Sequence, residues 1–494
     1  MKLVSKISQK TQEFLLSQSK EKRKKIGQFF TDEQTALFMA DMFKFKHGAK
    51  KIRVLDPGAG TGVLSAAFID VARKNKVREI ELVLVENNKD VLEILNENIK
   101  IFMALEDVNI SVIVKEENFI TEQSVDFSMN GVTKYGQFDY IICNPPYLKI
   151  PRNAEETVGM DLVISGAPNL YFLFMVLCAH DLVNCGEMTF IVPRSWTSGA
   201  YFKKFREYLF SVTTLNKAHL FSSRKKVFSI EKILQETVIV KFTKGTDNSS
   251  QDVILTTSED NRFLSVQELS ASYDTIVRGT NKYVFLPTTE EQVYLLQKID
   301  EFENTLPKLG LKLKTGLTVD FKNKDRLKEE PTSETIPLVY SSNFSNGRIV
   351  FPTKKEANQY ILATDGMKQI NKDYLFIKRF TSKEEERRLQ PAIYLTDDID
   401  SYYISTDNKL NFIERIDKKP LDREVLYGLY VVFSSSYYDE YYRILNGSTQ
   451  VNATEINDIP MPNLAELKQL GREFKKHQQY SYKVADKLIE GLVM

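Results

Sequence analysis

Only three cysteines occur in 494 residues, and Cys143, Cys178 and Cys185 lie in apolar surroundings without metal-ligand spacing. A disulfide framework and a zinc site are therefore not expected, and reduced thiols fit a cytoplasmic protein. No run of 18 or more apolar residues is present, so no membrane-spanning helix is expected. The opening MKLVSKISQKTQEFLLSQSKEKRKK has no continuous apolar core of the signal-peptide kind, and the expectation is a soluble, intracellular chain with no membrane partner. Net charge is nearly absent as well, at +1, so any nucleic-acid partner must be sought in local basic clusters. Neither HExxH nor CxxC occurs, and the metal expectation is none. There are no internal repeats and no convincing PD-(D/E)xK nuclease pattern.

The hydrophobic content of 42% and charged content of 27% are those of an ordinary globular protein. The length suggests two domains, each able to bury a core. In the first half, IRVLD (52–56) reads as a strand, PGAGTG as a glycine turn and LSAAFIDVA as a helix. ELVLVE (81–86) and KDVLEILNENIKIFMAL repeat the pattern, followed by strands at SVIV (111–114), FDYIIC (138–143) and MTFIVP (188–193). This alternation predicts an α/β fold with a doubly wound, mostly parallel sheet. The polar stretch GTDNSSQD (245–252) ends the alternation. The expected domains are thus 1–245 and 246–494, the second α+β and closed by a helical tail broken near Gly471.

Three features carry chemistry. Asp56 to Gly62, DPGAGTG, lies between a strand and a helix, where glycines permit a tight turn and close approach of a ligand to the backbone. It is either a nucleotide-type pocket or a structural turn. Its spacing is neither the dinucleotide GxGxxG nor a phosphate-cradling loop ending GK[ST], so NAD and ATP fit poorly. Glu86 ends the next strand, where an acid can accept both ribose hydroxyls; alone, it could be a surface acid. The strongest signal is Asn144, Pro145, Pro146 and Tyr147, directly after FDYIIC. The two prolines stiffen the chain, the Asn oxygen and a proline carbonyl are acceptors, and the Tyr ring offers a stacking face. That set suits a planar group bearing an NH2.

With these motifs the sequence resembles the NPPY amino-methyltransferases, and within them the gamma-class N6-adenine DNA methyltransferases. The resemblance implies a Rossmann-like class I fold, S-adenosyl-L-methionine as cofactor, and catalysis by Asn144, Pro145, Pro146 and Tyr147. GQFFTD (27–32) looks like the leading cofactor motif, which implies that Phe29, Phe30 and Thr31 meet the methionine end; this chain has Asp32 where the family has Pro. By the same resemblance Asp56, Gly58 and Gly60 hold the methionine portion, Glu86 the ribose, and Asn118 with Phe119 the adenine. The family carries Asp at Asn118, with Glu117 a substitute beside it, and Phe119 could equally be core. Phe228, in VFSIEKILQETVIV (227–240), matches the aromatic that stacks on the target base opposite Tyr147, although a Phe in a VF pair is also ordinary core. KTGLTVDFKNKDRL (314–327), FIKRFTSKEEERRL (376–389) and YYRILNGSTQVNATEINDIPMP (441–462) extend the resemblance to modification methyltransferases of type II restriction systems of the PstI/BsuBI group.

That resemblance implies double-stranded DNA as partner, a short palindromic target such as CTGCAG, a separate cognate endonuclease and a monomer when methylating. The target adenine would have to leave the duplex to reach a pocket. KEKRKK (20–25), SSRKK (222–226) and 308–328 are either phosphate contacts or solvated faces. NPPY also serves ribosomal RNA and protein-glutamine methyltransferases, and a partner-dependent DNA-recognition subunit is a further alternative. The roughly 250 residues after the catalytic motifs favour DNA.

Overall fold

Among the described residues, the helices α1 (Leu3–Ser17) and α2 (Glu33–Asp41) precede the first strand, β1 (Lys51–Pro57). α2 starts where Asp32 accepts hydrogen bonds from the Gln34 and Thr35 amides, an N-cap that satisfies two otherwise unpaired donors. Then α3 (Val63–Lys74), β2 (Glu79–Val85), α4 (Lys89–Met103), β3 (Asn109–Lys115) and β4 (Phe138–Cys143) follow. α5 (Leu170–Asp181), β5 (Leu182–Pro193), α6 (Lys203–Val212), β6 (Thr213–Phe221), β7 (Thr237–Lys244), β8 (Asp252–Ser258) and β9 (Gln267–Ser272) come next. The computed structural model describes residues 2–19, 30–46, 51–222, 236–246, 251–381, 385–477 and 480–493.

The nine strands form one sheet in the order β3-β2-β1-β4-β5-β7-β6-β8-β9. β1 to β5 pair in parallel, and β7 runs antiparallel between β5 and β6. Strand order reverses between β1 and β4, which opens a crevice at their carboxyl ends. β1 and β2 are buried over their last four residues, as strands covered on both faces must be. α5 is buried on nearly every side, which suits its almost unbroken apolar sequence LYFLFMVLCAHD.

The chain divides at Thr288/Thr289 rather than near 245. β8, which follows the polar stretch, belongs to the first unit, because it pairs in parallel with β6 from Lys217↔Ile254 to Phe221↔Ser258. The second unit, Thr289–Met494, holds a six-stranded and a five-stranded sheet together with helices, in keeping with an α+β architecture. Gly471 does not break the tail helix; it lies inside Leu464–Phe474. A Cβ there would stand 1.9 Å from the Glu424 carbonyl, and one at Gly428 would stand 2.0 Å from the Leu467 carbonyl, so two glycines let these helices pack backbone to backbone. That helix ends at Phe474 and the next begins at Tyr482. Cys143 and Cys178 are buried, whereas Cys185 is exposed at a positive φ, outside the apolar setting expected for it. No helix among the described residues is long and apolar enough to cross a membrane.

Candidate active site

The glycine loop leaves β1 and turns under the end of β2. The Gly58 and Ala59 amides donate to the Val85 carbonyl at 2.7 and 3.0 Å. Gly58, Gly60 and Gly62 have φ of 78°, 55° and 85°, a left-handed path that side chains resist. A Cβ on Gly60 would also stand 3.1 Å from the Phe30 ring. The loop is buttressed from behind: Thr11 of α1 gives its proton to the Ile7 carbonyl, so the Thr61 hydroxyl, 2.8 Å away, donates to Thr11. Asn98 of α4 donates to the Thr61 carbonyl. Neither Thr11 nor Asn98 was singled out from sequence, because both contacts are long-range.

Glu86 sits at the end of β2 with both oxygens facing backbone donors, Gly60 N–H at 2.8 Å and Asn88 N–H at 2.7 Å. Burial pushes its carboxyl above the usual range, and these amides pull it part of the way back. A carboxylate oxygen that accepts one hydrogen bond has capacity for another, so Glu86 can accept a pair of hydroxyls. Asp56 is buried beneath the loop, where it accepts from the Ser65 hydroxyl at 2.6 Å. Burial, opposed by Ser65 and reinforced by Glu86, raises its carboxyl to about 7. Its second oxygen has no partner among the described residues.

A cavity of about 340 Å³ opens here, lined by Phe30, Thr31, Gly58, Gly60, Glu86, Asn118, Phe119, Asn144 and Pro146 among others. Nine of the sequence-derived site residues thus share one cavity, although they come from positions 30 to 146. Asp56, Pro145 and Tyr147 do not line it; Phe29 and Phe228 lie outside the described residues. So do the basic run 20–25 and most of 222–226. Phe119 is both wall and core, packed on Phe174 at 5.0 Å between ring centres. Glu117 is committed to Lys134 and the Tyr135 hydroxyl. Asn118 accepts from the Ile120 amide and donates to Glu156, itself a cavity residue with no sequence signal.

Asn144 follows β4, whose Cys143 thiol donates to the Pro57 carbonyl and so ties the two strand ends together. The Asn144 amide nitrogen donates to Thr31 Oγ1 at 3.1 Å. The single Tyr147 hydroxyl proton is shared between Asn144 Oδ1 at 3.0 Å and the Ile191 carbonyl at 2.9 Å. Burial raises the Tyr147 phenol well above its ordinary range, so it remains neutral. Asn144 is thereby oriented from both ends, and the Pro145 carbonyl accepts no hydrogen bond from any described residue. An acceptor-rich corner borders the acid and glycine loop.

Strand order with an antiparallel β7, a glycine turn after β1 and an acid ending β2 define the class I S-adenosylmethionine-dependent methyltransferase fold. Residues 63–228 match the family model described as Eco57I restriction-modification methylase. The chain is 31% identical over 456 residues to the type II methyltransferase M.BsuBI of Bacillus subtilis, covering 91% of this chain and 90% of that protein. It is 33% identical over 467 residues to the type II methyltransferase M.PstI of Providencia stuartii, with the same 91% and 90% coverage. A solved type I restriction-modification system methyltransferase subunit from Streptococcus thermophilus aligns at 14% identity with a TM-score of 0.37, over 56% of this chain and 53% of that one. The chain belongs to the type II methyltransferase family of restriction-modification systems that includes M.BsuBI and M.PstI.

Proposed function

We propose that this protein transfers the methyl group of S-adenosyl-L-methionine to the exocyclic N6 of an adenine in duplex DNA, protecting a short site from a separate endonuclease. The observation that carries the reading is the oriented Asn144 amide at the edge of the cavity that Glu86 and the glycine loop share. The residues present fit the cofactor. The cavity volume is within the roughly 300–1,000 Å³ of small-molecule sites. Gly60 leaves room that a Cβ would fill, and Glu86 offers two acceptors for a ribose. When bound, the cofactor supplies an electrophilic sulfonium methyl.

This chain's own contribution is to prepare the nucleophile. Adenine's amine lone pair is delocalised into the ring, and acceptance of its two N–H bonds by Asn144 Oδ1 and the Pro145 carbonyl draws it toward a tetrahedral, nucleophilic form. Positioning and preorganised dipoles supply the rate, with no covalent nucleophile. The base must leave the helix at a cost of a few kcal/mol. The Tyr147 ring, anchored through its hydroxyl, offers a stacking face that offsets part of this. In this reading the second unit selects the sequence.

The test is methyl transfer from radiolabelled cofactor to duplex DNA, followed by digestion to nucleosides and sequencing of the modified positions. N6-methyladenine at one repeated site is expected. Label in cytosine, or in ribosomal RNA or protein in place of DNA, would overturn the reading.

A further inference from the structure

In the second unit, three strands of the six-stranded sheet deliver their loops to one edge. Leu311–Thr315 and Tyr374–Lys378 both run antiparallel to Leu410–Arg415, with Thr315↔Asn411 and Lys378↔Leu410 in register. The outgoing loops of the first two and the incoming loop of the third therefore meet. Lys409 is their hub: its ammonium lies 2.7 Å from Asp320, and its carbonyl accepts from the Arg379 amide at 2.9 Å. The segment 446–451 joins them, because Val451 N–H donates to the Arg379 carbonyl and Thr381 N–H to the Thr449 carbonyl.

Two phenylalanines, each next to a partner of Lys409, stand out from this edge. Phe321 is 61% exposed and Phe380 is 46% exposed. Single exposed apolar residues are common, but here two exposed rings each adjoin a residue that contacts Lys409. The Arg379 guanidinium lies 5.4 Å over the Phe380 ring and 3.4 Å from the Gln450 amide oxygen. Among the described residues, no carboxylate pairs with Arg379 or with the exposed Lys322. The edge thus combines unneutralised positive charge, flat apolar faces and a side-chain amide.

We infer that this edge is the surface by which the second unit engages the bases of its DNA site. Lys322 meets phosphate, Arg379 and Gln450 meet base edges, and Phe321 and Phe380 meet thymine methyls or unstacked base faces. The inference rests on the DNA reading above and adds to it the residues that discriminate sequence. A polyanion with apolar faces between its charges is the partner whose chemistry matches all three elements at once.

The test uses the full-length chain and two duplexes, one carrying the site mapped by sequencing and one with a base pair of it changed. Binding is read by fluorescence anisotropy over a salt series. Phe321→Ala and Phe380→Ala are each expected to weaken binding to the mapped site about five-fold or more, and to narrow the gap between the duplexes. Gln450→Ala should narrow that gap as well. Lys322→Ala should weaken both duplexes alike and lower the salt slope by about one. Unchanged melting temperatures and cofactor affinity will show the variants folded. Wild-type affinity and discrimination in Phe321→Ala/Phe380→Ala would overturn the inference, as would dimer dissociation in that variant showing that a second copy covers the rings. Failure of the wild type to methylate DNA would instead overturn the reading beneath it.

Discussion

The Asn144 side-chain amide donates to the Thr31 hydroxyl at 3.1 Å, joining residues 113 positions apart in the chain. This bond fixes the amide with its nitrogen toward Thr31 and its oxygen toward Tyr147, and it couples the leading motif to the NPPY corner. Thr31→Val removes this acceptor while keeping shape, and the loss of one such hydrogen bond costs about 0.5–1.5 kcal/mol. Single-turnover methyl transfer should fall at least about five-fold, and Thr31→Ser should restore it. Equal rates in the Val and Ser variants would show that the bond does not orient Asn144.

Asn144→Ala should leave the fold and cofactor affinity nearly intact, since Pro145, Pro146 and the buried β4 remain. Loss of one preorganised electrostatic contact of this kind costs about 2.7–4 kcal/mol, or on the order of a hundred- to thousandfold in rate. Rapid-quench measurement of the chemical step checks this. A near wild-type rate would place catalysis elsewhere.

Gly60→Leu should abolish cofactor binding. Its φ of 55° disfavours a side chain, and a Cβ meets Phe30 at 3.1 Å across the cavity wall. Calorimetry on a variant shown to be folded by circular dichroism provides the measurement; retained affinity would exclude the loop as the cofactor cradle.

His219 is buried in β6 between the Thr256 and Ser258 hydroxyls, and burial lowers its pKa to about 3. An unfolded histidine titrates near 6.5, so the unfolded state binds the proton more readily. The stabilisation is complete above about 6.5 and declines as pH falls toward 3, by about 1.4 kcal/mol per pH unit in the middle of that window. Asp56 and Asp181, raised by burial to about 7 and about 8, act with opposite sign, their contribution fading as pH rises. The difference between wild-type and His219→Gln urea-unfolding profiles isolates the histidine. A difference independent of pH between 4 and 7 would refute its burial as a neutral ring.

A chain ending at residue 288 should fold and bind cofactor but lose sequence-specific DNA binding. One ending at 245 should be markedly less stable, because it strips β8 and β9 from the sheet and leaves the β6 edge unpaired. Melting temperatures of the two truncated proteins, with anisotropy on DNA, separate the structural from the recognition role of residues 246–288.

By itself the sequence determined the strand, glycine turn and helix around 51–74, the acid at the end of β2 and the NPPY corner after β4. These are local: hydrophobic periodicity, left-handed glycines and stiff prolines act over a few residues. Tertiary structure alone decided that Thr31 orients Asn144, that Thr11 and Asn98 buttress Thr61, and that Glu156 meets Asn118. It also decided that β8 and β9 extend the first unit's sheet and that Gly471 serves helix packing rather than a helix end. A polar linker composition and a lone glycine leave such questions open, because what settles them is strand pairing and backbone approach between segments far apart in the chain, and those depend on how the whole core closes.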